Sequence, residues 1–265
     1  HVRLHSFPTR RSSDLRMSGG LWVTKGCHDF DFFCWLTRAL PKSVSASASL
    51  SYYTPKPEAA LYCRDCPIEG RCPDSHLRFR VDNSDFPPLR RIIEEAREAS
   101  GAPADLCLYN ADKDTFDNGA ALITFANGVK ASFTLNVVAP FTDHHYRISG
   151  TEGTLDGSYE TPAVRYWKRH DGEAFDRAAQ LPVHESAVIT QDMHGGADNL
   201  LLNEFLGFIR GRTSHLPTPA EAAVPIAIAV AATLAGDEER TVHLRELAGW
   251  GELCGYLQDA GLFAG

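Results

Sequence analysis

The stretch AALITFANGVKASFTLNVV, residues 120–138, decides the fold class, because two apolar runs flank a single Asn-Gly pair. Asn127-Gly128 is the strongest short-range signal for a two-residue β-hairpin turn. From Val129 to Val137 apolar and polar residues alternate, which predicts a strand with one buried face. A second alternating run, SVSASASLSYY (43–53), predicts another half-buried antiparallel strand.

Helices and further strands surround these two strands in a simple order. The sequence predicts helices over 26–39, over 87–100 and twice after residue 197, the last with Thr218 as N-cap and Pro219 at N1. HHYRISGTEGTLDG (144–157) and RYWKR (165–169) predict short strands. Because no βαβ alternation and no internal repeat is present, we predict an α+β fold with one open, mainly antiparallel sheet and helices on one face.

Composition excludes several classes of function. The 265 residues carry a net charge of −8 and no sustained basic stripe, so we expect no nucleic-acid partner. No apolar run reaches the roughly 18 residues that a membrane span needs, and 222–235 predicts a buried helix. The seven cysteines, three of them clustered, indicate a reducing compartment or a metal site rather than a secreted disulfide scaffold. We therefore expect a cytoplasmic protein.

The first fifteen residues form a segment of different character. HSFPTRRSSDL (5–15) resembles a translated sequencing adaptor, without hydrophobic periodicity. We expect residues 1–15 to be a non-native, disordered tail and exclude them from fold reasoning. On this interpretation the native N-terminus is missing, and the sequence leaves open whether the complete protein carries an export signal.

Four ionisable residues stand close together in TKGCHDFDFFCWL (24–36), ahead of an aromatic run. Lys25, His28, Asp29 and Asp31 at the start of an otherwise apolar helix indicate a buried helix whose N-terminal end opens into a pocket. The alternative is structural: acidic groups in a first turn stabilise the helix dipole by a few tenths of a kcal/mol. A lone histidine is also commonly structural.

Cysteines cluster in CRDCPIEGRCPDSH (63–76), within a segment at 54–86 rich in Pro, Cys and Asp. Cys63, Cys66, Cys72 and His76 supply enough soft donors for a structural tetrahedral zinc site. A second C-x2-C pair, usual in zinc ribbons, does not follow. That absence favours the alternative, a proline-rich loop of reduced cysteines.

Four motifs in order resemble a known family. GGLWVTKGCHDFDFFCWL (19–36), FANGVKASF (125–133), RISGTEGTLDG (147–157) and HGGADNLLLNEFLGFI (194–209) together resemble the C-terminal domain of the Gfo/Idh/MocA family, glucose–fructose oxidoreductase and inositol dehydrogenase. The resemblance covers roughly residues 18–245.

The resemblance implies an NAD(P)-dependent oxidoreductase acting on a sugar, a cyclitol or a derivative. In the family an N-terminal Rossmann domain binds NAD or NADP, and the C-terminal domain supplies an open sheet, much of the sugar pocket and the oligomer contact. This chain has no G-x-G-x-x-G and no Glu-Lys-Pro motif. We therefore expect residues 16–265 to be the substrate-binding and oligomerisation domain, with an insertion at 54–86, inactive alone and homo-oligomeric when complete.

The resemblance also implies roles for single residues. His28 aligns with the family's substrate histidine and would accept the hydroxyl proton, with Lys25 approaching the substrate. Asp31 would orient the ring or bind a hydroxyl, and His194 would lie near the pocket. Many relatives carry an acidic residue about one turn before the histidine, where this chain has Thr24 and Lys25. Two alternatives remain: a non-catalytic oligomerisation or ligand-binding module, and a metal-dependent hydrolase using His28, Asp31 and His194.

Overall fold

The computed structural model describes residues 15–77, 91–92, 95, 99, 103, 105–139, 143–158, 163–169, 184–185, 196–212 and 216–263. The chain divides into two compact units. The first is His1–Pro140 with Pro217–Gly265, and the second is Phe141–Leu216.

Helices and strands occur in the mixed order that the sequence predicts. The helices with described bounds are α1 (Leu15–Ser18), α2 (Cys27–Thr37), α3 (Ala197–Ile209), α4 (Pro219–Asp237) and α5 (Trp250–Asp259). The strands are β1 (Pro41–Ser49), β2 (Asn118–Phe125), β3 (Lys130–Asn136), β4 (His145–Ser149), β5 (Gly153–Ser158), β6 (Ala163–Lys168), β7 (His184–Glu185) and β8 (Val242–His243). Of the helix predicted over 87–100, the four described residues 91, 92, 95 and 99 are helical, and the others lie outside the described residues.

The first unit contains an antiparallel sheet in the order β3-β2-β1-β8. The predicted hairpin is confirmed: β2 and β3 pair antiparallel, and Gly128 closes the turn with a φ of 86° and an N–H bond of 3.0 Å to the Phe125 carbonyl. Ile123 pairs with Val44 on one side and Ala131 on the other. Because Ile123 and Val44 are fully buried, this register sets the core face of the sheet.

Strand β1 is shorter than the predicted run 43–53, and a buried carboxylate ends it. Asp117 accepts backbone N–H bonds from Ser51 (3.0 Å), Tyr52 (2.7 Å) and Tyr53 (2.8 Å). Burial raises the pKa of Asp117, but these bonds to the charged form outweigh it, so the pKa is lowered. The resulting bend buries Tyr53 and leaves Tyr52 39% exposed, so the predicted alternation does not continue to residue 53.

Helix α4 covers the core face of this sheet and packs against β1 and α2. Val224, Ile228 and Ala232 are fully buried, which confirms the predicted buried helix. Its start is also as predicted: the Thr218 hydroxyl accepts the Glu221 N–H at 3.2 Å, and the Glu221 carboxylate accepts the Thr218 N–H at 2.7 Å. By length and composition alone α4 could cross a membrane, a test that core helices also pass.

The second unit contains an antiparallel sheet in the order β4-β5-β6-β7, followed by α3. The strands predicted in 144–157 and 165–169 are present as β4, β5 and β6. The α+β class with antiparallel pairing is therefore confirmed. The described strands form two four-stranded sheets, one in each unit, where the sequence had predicted one.

Aromatic packing holds the start of the first long helical stretch against the sheet. The Trp22 ring lies 4.6 Å from Phe116, 6.2 Å from Phe30 and 6.1 Å from Phe133, centroid to centroid. On β2 the indole covers Gly119, where an added Cβ would meet Trp22 Cζ2 at 2.8 Å. Residue 119 must therefore be glycine for the indole to pack against the sheet.

We expect Trp22→Ala to lower the free energy of unfolding by about 3–5 kcal/mol, because it empties a fully enclosed aromatic site. Trp35→Ala, in α2, is the matched control, since Trp35 is 60% exposed and should cost under about 1 kcal/mol. Urea unfolding monitored by circular dichroism gives both values. Equal losses for the two variants would contradict the anchoring role of Trp22.

Candidate functional site

The helical stretch that carries the ionisable cluster starts earlier than predicted. It begins at Gly20, passes through a π-helical turn at Trp22–Gly26, continues as α2 and ends at Thr37 instead of residue 39. The Gly20 N–H donates to Ser18 Oγ at 3.1 Å and the Leu21 N–H to Thr115 Oγ1 at 3.4 Å. The predicted start at residue 26 is therefore wrong.

This earlier start changes the interpretation of the two aspartates. Asp29 and Asp31 lie more than two turns into the helical stretch, whereas the dipole effect falls off within the first turn. Helix-dipole stabilisation therefore does not explain either carboxylate. Asp29 is only 7% exposed, so it belongs to the inner face of the helix, while Asp31 is exposed.

The π-helical turn at Trp22–Gly26 immediately precedes His28 and contains Lys25, which is exposed. Such turns are rare and frequently lie at functional sites. Gly26 permits the close approach of the following turn, since an added Cβ would meet the Phe30 ring at 3.2 Å. Because a π turn has i→i+5 bonds, the three-residue spacing of Lys25 and His28 does not by itself place them on one face.

The structure brings His28 and Asp31 together and adds Glu221. Both are exposed on α2, one turn apart, and their charges interact. Partial burial of the Asp31 carboxyl raises its pKa, the His28 charge opposes this shift, and the Glu221 carboxylate adds to it. Glu221 is held in position by the capping box at the start of α4. The site therefore combines a histidine with two carboxylates from two helices.

Two nearby cysteines have low reactivity. Burial raises the pKa of the Cys27 thiol, and burial together with the Asp31 charge raises that of Cys34 to about 12. A thiol that stays protonated at neutral pH is a poor nucleophile. The arrangement therefore suits proton transfer by His28 better than covalent catalysis by a cysteine.

His194 lies outside the described residues, so its predicted place near the pocket stays a prediction. The described part of that motif begins at Gly196, which precedes α3 with a φ of 88°. The alternative of a metal-dependent hydrolase also requires His194, so it stays a prediction as well.

The cysteine-rich segment gives a different arrangement from the one predicted. Cys63, Cys66 and Cys72 line one small pocket together with Cys107, and His76 is not among its lining residues. All seven cysteines lie in the described ranges and none forms a disulfide. Among the residues that the structure describes, no group of three or more His, Cys, Asp or Glu side chains could hold a metal ion. The predicted ligand set with His76 is therefore not supported.

The class of protein follows from this fold and from its likeness to known proteins. A family profile described as GFO/IDH/MocA C-terminal domain matches residues 2–156, more than half of the chain. The chain therefore belongs to this family.

Individual relatives agree with that assignment. YteT of Bacillus subtilis (strain 168), named as an oxidoreductase, is 26% identical over 263 residues, covering 91% of this chain and 60% of YteT. Levoglucosan dehydrogenase in complex with NADH and levoglucosan has a TM-score of 0.58 at 15% identity, over 90% of this chain and 54% of its own. An oxidoreductase domain protein from Kribbella flavida gives 0.57 at 14% identity, over 89% and 54%.

The chain corresponds to part of the length of these relatives. The chain spans 60% of the curated relative and about half of the solved structures, which at these identities show the fold alone. The family match also includes residues 2–15, so the adaptor origin of that segment stays a prediction.

The raised pKa of Asp31 predicts a pH-dependent effect on stability. An acid whose pKa is higher in the folded state destabilises the fold above that pKa and stops doing so as the pH falls through it. Asp31→Asn should therefore raise the free energy of unfolding at pH 7, and the gain should vanish toward about pH 4. Urea unfolding across this range measures it.

Asp65→Asn is the matched control, because Asp65 is exposed on a turn at Cys63–Asp65 away from this cluster. It should change stability little at any pH. A loss of stability in Asp31→Asn at neutral pH would show that the carboxylate is structural.

Proposed function

We propose that the complete protein is an NAD(P)-dependent oxidoreductase acting on a CH–OH group of a sugar, a cyclitol or a derivative, and that this chain supplies its substrate-binding side. The observation that carries the proposal is His28, exposed on α2 beside Asp31 and Glu221 in a domain of this family. Levoglucosan dehydrogenase, with a similar fold, was solved with NADH and with levoglucosan or L-sorbose.

The reaction requires a base for the hydroxyl proton, and histidine changes charge near neutral pH. A ring nitrogen of His28 accepts the proton as the hydroxyl becomes a carbonyl. The Asp31 carboxylate lies one turn away and stabilises the imidazolium that forms. Lys25, exposed in the preceding turn, donates to the substrate oxygen. These roles would explain why the helix carries exposed ionisable residues, since its packing depends on its buried aromatic face alone.

The cofactor of the complete protein is NAD or NADP in this proposal, and it supplies the hydride acceptor. The 265 residues contain no G-x-G-x-x-G, the loop whose backbone amides hold a pyrophosphate at a helix N-terminus. The residues present therefore do not fit a dinucleotide, and no step through the nicotinamide is derived from this chain.

The proposed compartment is the cytoplasm. Seven cysteines without a disulfide agree with a reducing environment.

His28→Ala in the full-length enzyme should lower turnover by about 10²–10⁴-fold, the range for losing a general base. Folding and NAD(P) affinity should change little, because the His28 side chain is exposed. Steady-state kinetics, circular dichroism and cofactor titration test these expectations. His145→Ala is the matched control, since His145 is an exposed histidine on β4 and should leave turnover unchanged. Unchanged turnover in His28→Ala would refute the assigned role.

The exposed face of the β3-β2-β1-β8 sheet supports a homo-oligomer. The residues Lys130, Ser132, Thr134 and Asn136 on β3 are exposed, and Leu122 between β1 and β3 is 46% exposed. A face of exposed polar side chains with an exposed leucine at its centre suits sheet-to-sheet contact.

We expect the complete protein to be a dimer or tetramer at micromolar concentration. Leu122→Glu should weaken that assembly, since it places like charges opposite each other in a symmetric contact. Lys42→Glu, at an exposed position at the start of β1, is the control. Light scattering that shows a monomer for the unmodified protein would overturn the expectation.

A further inference from the structure

A groove in the first unit is lined by basic side chains, although the chain as a whole carries a net charge of −8. Its volume is about 430 Å³. The start of β1, the β2–β3 turn, β8 and the segment after β8 line it, through Pro41, Lys42, Ala126, His243, Arg245 and Trp250. None of these described lining residues is acidic, and none belongs to the His28 site.

A β-bulge in β1 turns Lys42 toward this groove. The pairing of β1 with β2 shifts register between Pro41 and Ser43, so Lys42 is the extra residue of the bulge. Regular alternation would place Lys42 on the same face as Val44, which is fully buried. The bulge instead leaves Lys42 exposed at the groove. Bulges commonly redirect a side chain in this way beside functional sites.

Buried neighbours hold His243 and Arg245 on the solvent side of the same region. Val242 and Leu244 are fully buried, and because successive residues of a strand point to opposite faces, His243 points away from the core. His243 pairs with Ser43, which brings β8 beside the bulge. Arg245 follows in the 3₁₀ turn Leu244–Glu246 and is exposed. The three basic residues are therefore positioned by backbone pairing and by the core.

The charges of Lys42 and Arg245 are available to a ligand. Within the described part of the chain, neither side chain forms an ion pair or a hydrogen bond. The adjacent carboxylate of Glu246 is already engaged: its Oε1 accepts the His243 backbone N–H at 2.8 Å, and its Oε2 lies 2.8 Å from Arg240 Nη2. An anion in the groove therefore meets two cations that have no carboxylate partner there.

The other walls of the groove suit a carbon skeleton. Pro41, Ala126 and Trp250 are apolar, and the volume lies within the range of roughly 300–1,000 Å³ that is usual for small-molecule sites. Trp250 is also the first residue of α5, which starts after Gly249 without a side-chain cap. The N–H groups at such a helix start favour an anion, although Glu252 in the first turn reduces this effect.

We propose that this groove binds the phosphate monoester of a small organic molecule. The phosphate oxygens accept hydrogen bonds from Lys42 Nζ and the Arg245 guanidinium, and a ring N–H of His243 adds a third donor. A phosphate monoester carries a charge of about −1.5 to −2 at pH 7 and three acceptor oxygens, which matches this donor set better than a carboxylate does. The organic part packs against Pro41 and Trp250. No bond is made or broken at this site, so the proposal does not depend on the proposed oxidation.

Calorimetric titration of the full 265-residue chain with phenyl phosphate, inorganic phosphate and phenol tests the ligand class. We expect one phenyl phosphate per chain with a dissociation constant below about 1 mM, inorganic phosphate about tenfold weaker or more, and no binding of phenol. Lys42→Gln and Arg245→Gln should each weaken phenyl phosphate binding by about 10–100-fold, because each removes a hydrogen bond from a charged donor. Arg71→Gln is the matched control, an exposed arginine in another 3₁₀ turn, and should leave binding unchanged.

A second measurement uses the unmodified chain and keeps the test decisive if a variant fails to fold. Phenyl phosphate should slow the acetylation of Lys42, whereas the acetylation of Lys130, exposed on β3, should not change. Peptide mass spectrometry measures both rates. No binding of phenyl phosphate, equal affinity for inorganic phosphate, an equal loss in Arg71→Gln and Arg245→Gln, or unprotected Lys42 would each overturn the proposal.

Discussion

The contact between the Trp22 indole and the bare backbone of Gly119 positions the rest of the first unit. A side chain at residue 119 would occupy the space of the indole, so glycine at this position lets the helical stretch approach the sheet closely. Phe30 then packs against Phe133 of β3 at 5.3 Å, centroid to centroid, which fixes the rotation of α2 about its axis. With its inner face fixed in this way, α2 presents His28 and Asp31 to the surface, and α4, which packs against α2, brings Glu221 beside them.

Buried carboxylates hold the insertion in place, as aromatic rings hold the helices. Asp105, 7% exposed, accepts from Arg64 Nε at 2.8 Å and from Arg64 Nη2 at 2.6 Å. Burial raises the pKa of Asp105, but the Arg64 bonds outweigh it and lower the pKa. Tyr53, Cys107 and Tyr109 form a small separate core beside this pair.

Local signals predicted the local structure, and distant partners account for the errors. The Asn127-Gly128 hairpin and the Thr218 cap depend on residues within a few positions, so both followed from the sequence. The start of the helical stretch depends on Thr115, and the end of β1 depends on Asp117, each more than sixty residues away. Glu221 was missed for the same reason. The capping box formed with Thr218 holds Glu221 in place, but no residue near it in sequence indicates what its carboxylate faces.

The surroundings of the Asp31 carboxylate make its charged form destabilising to the folded state. A carboxyl that is partly buried, near a second carboxylate, is disfavoured in its charged form at neutral pH. Asparagine would fill the same volume without that penalty, and helix formation does not require an aspartate at this depth in the helix. Carboxyl groups with a perturbed pKa of this kind concentrate at functional sites. The His28 imidazole lies one turn away, and the Asp31 charge stabilises the imidazolium that forms when His28 accepts a proton.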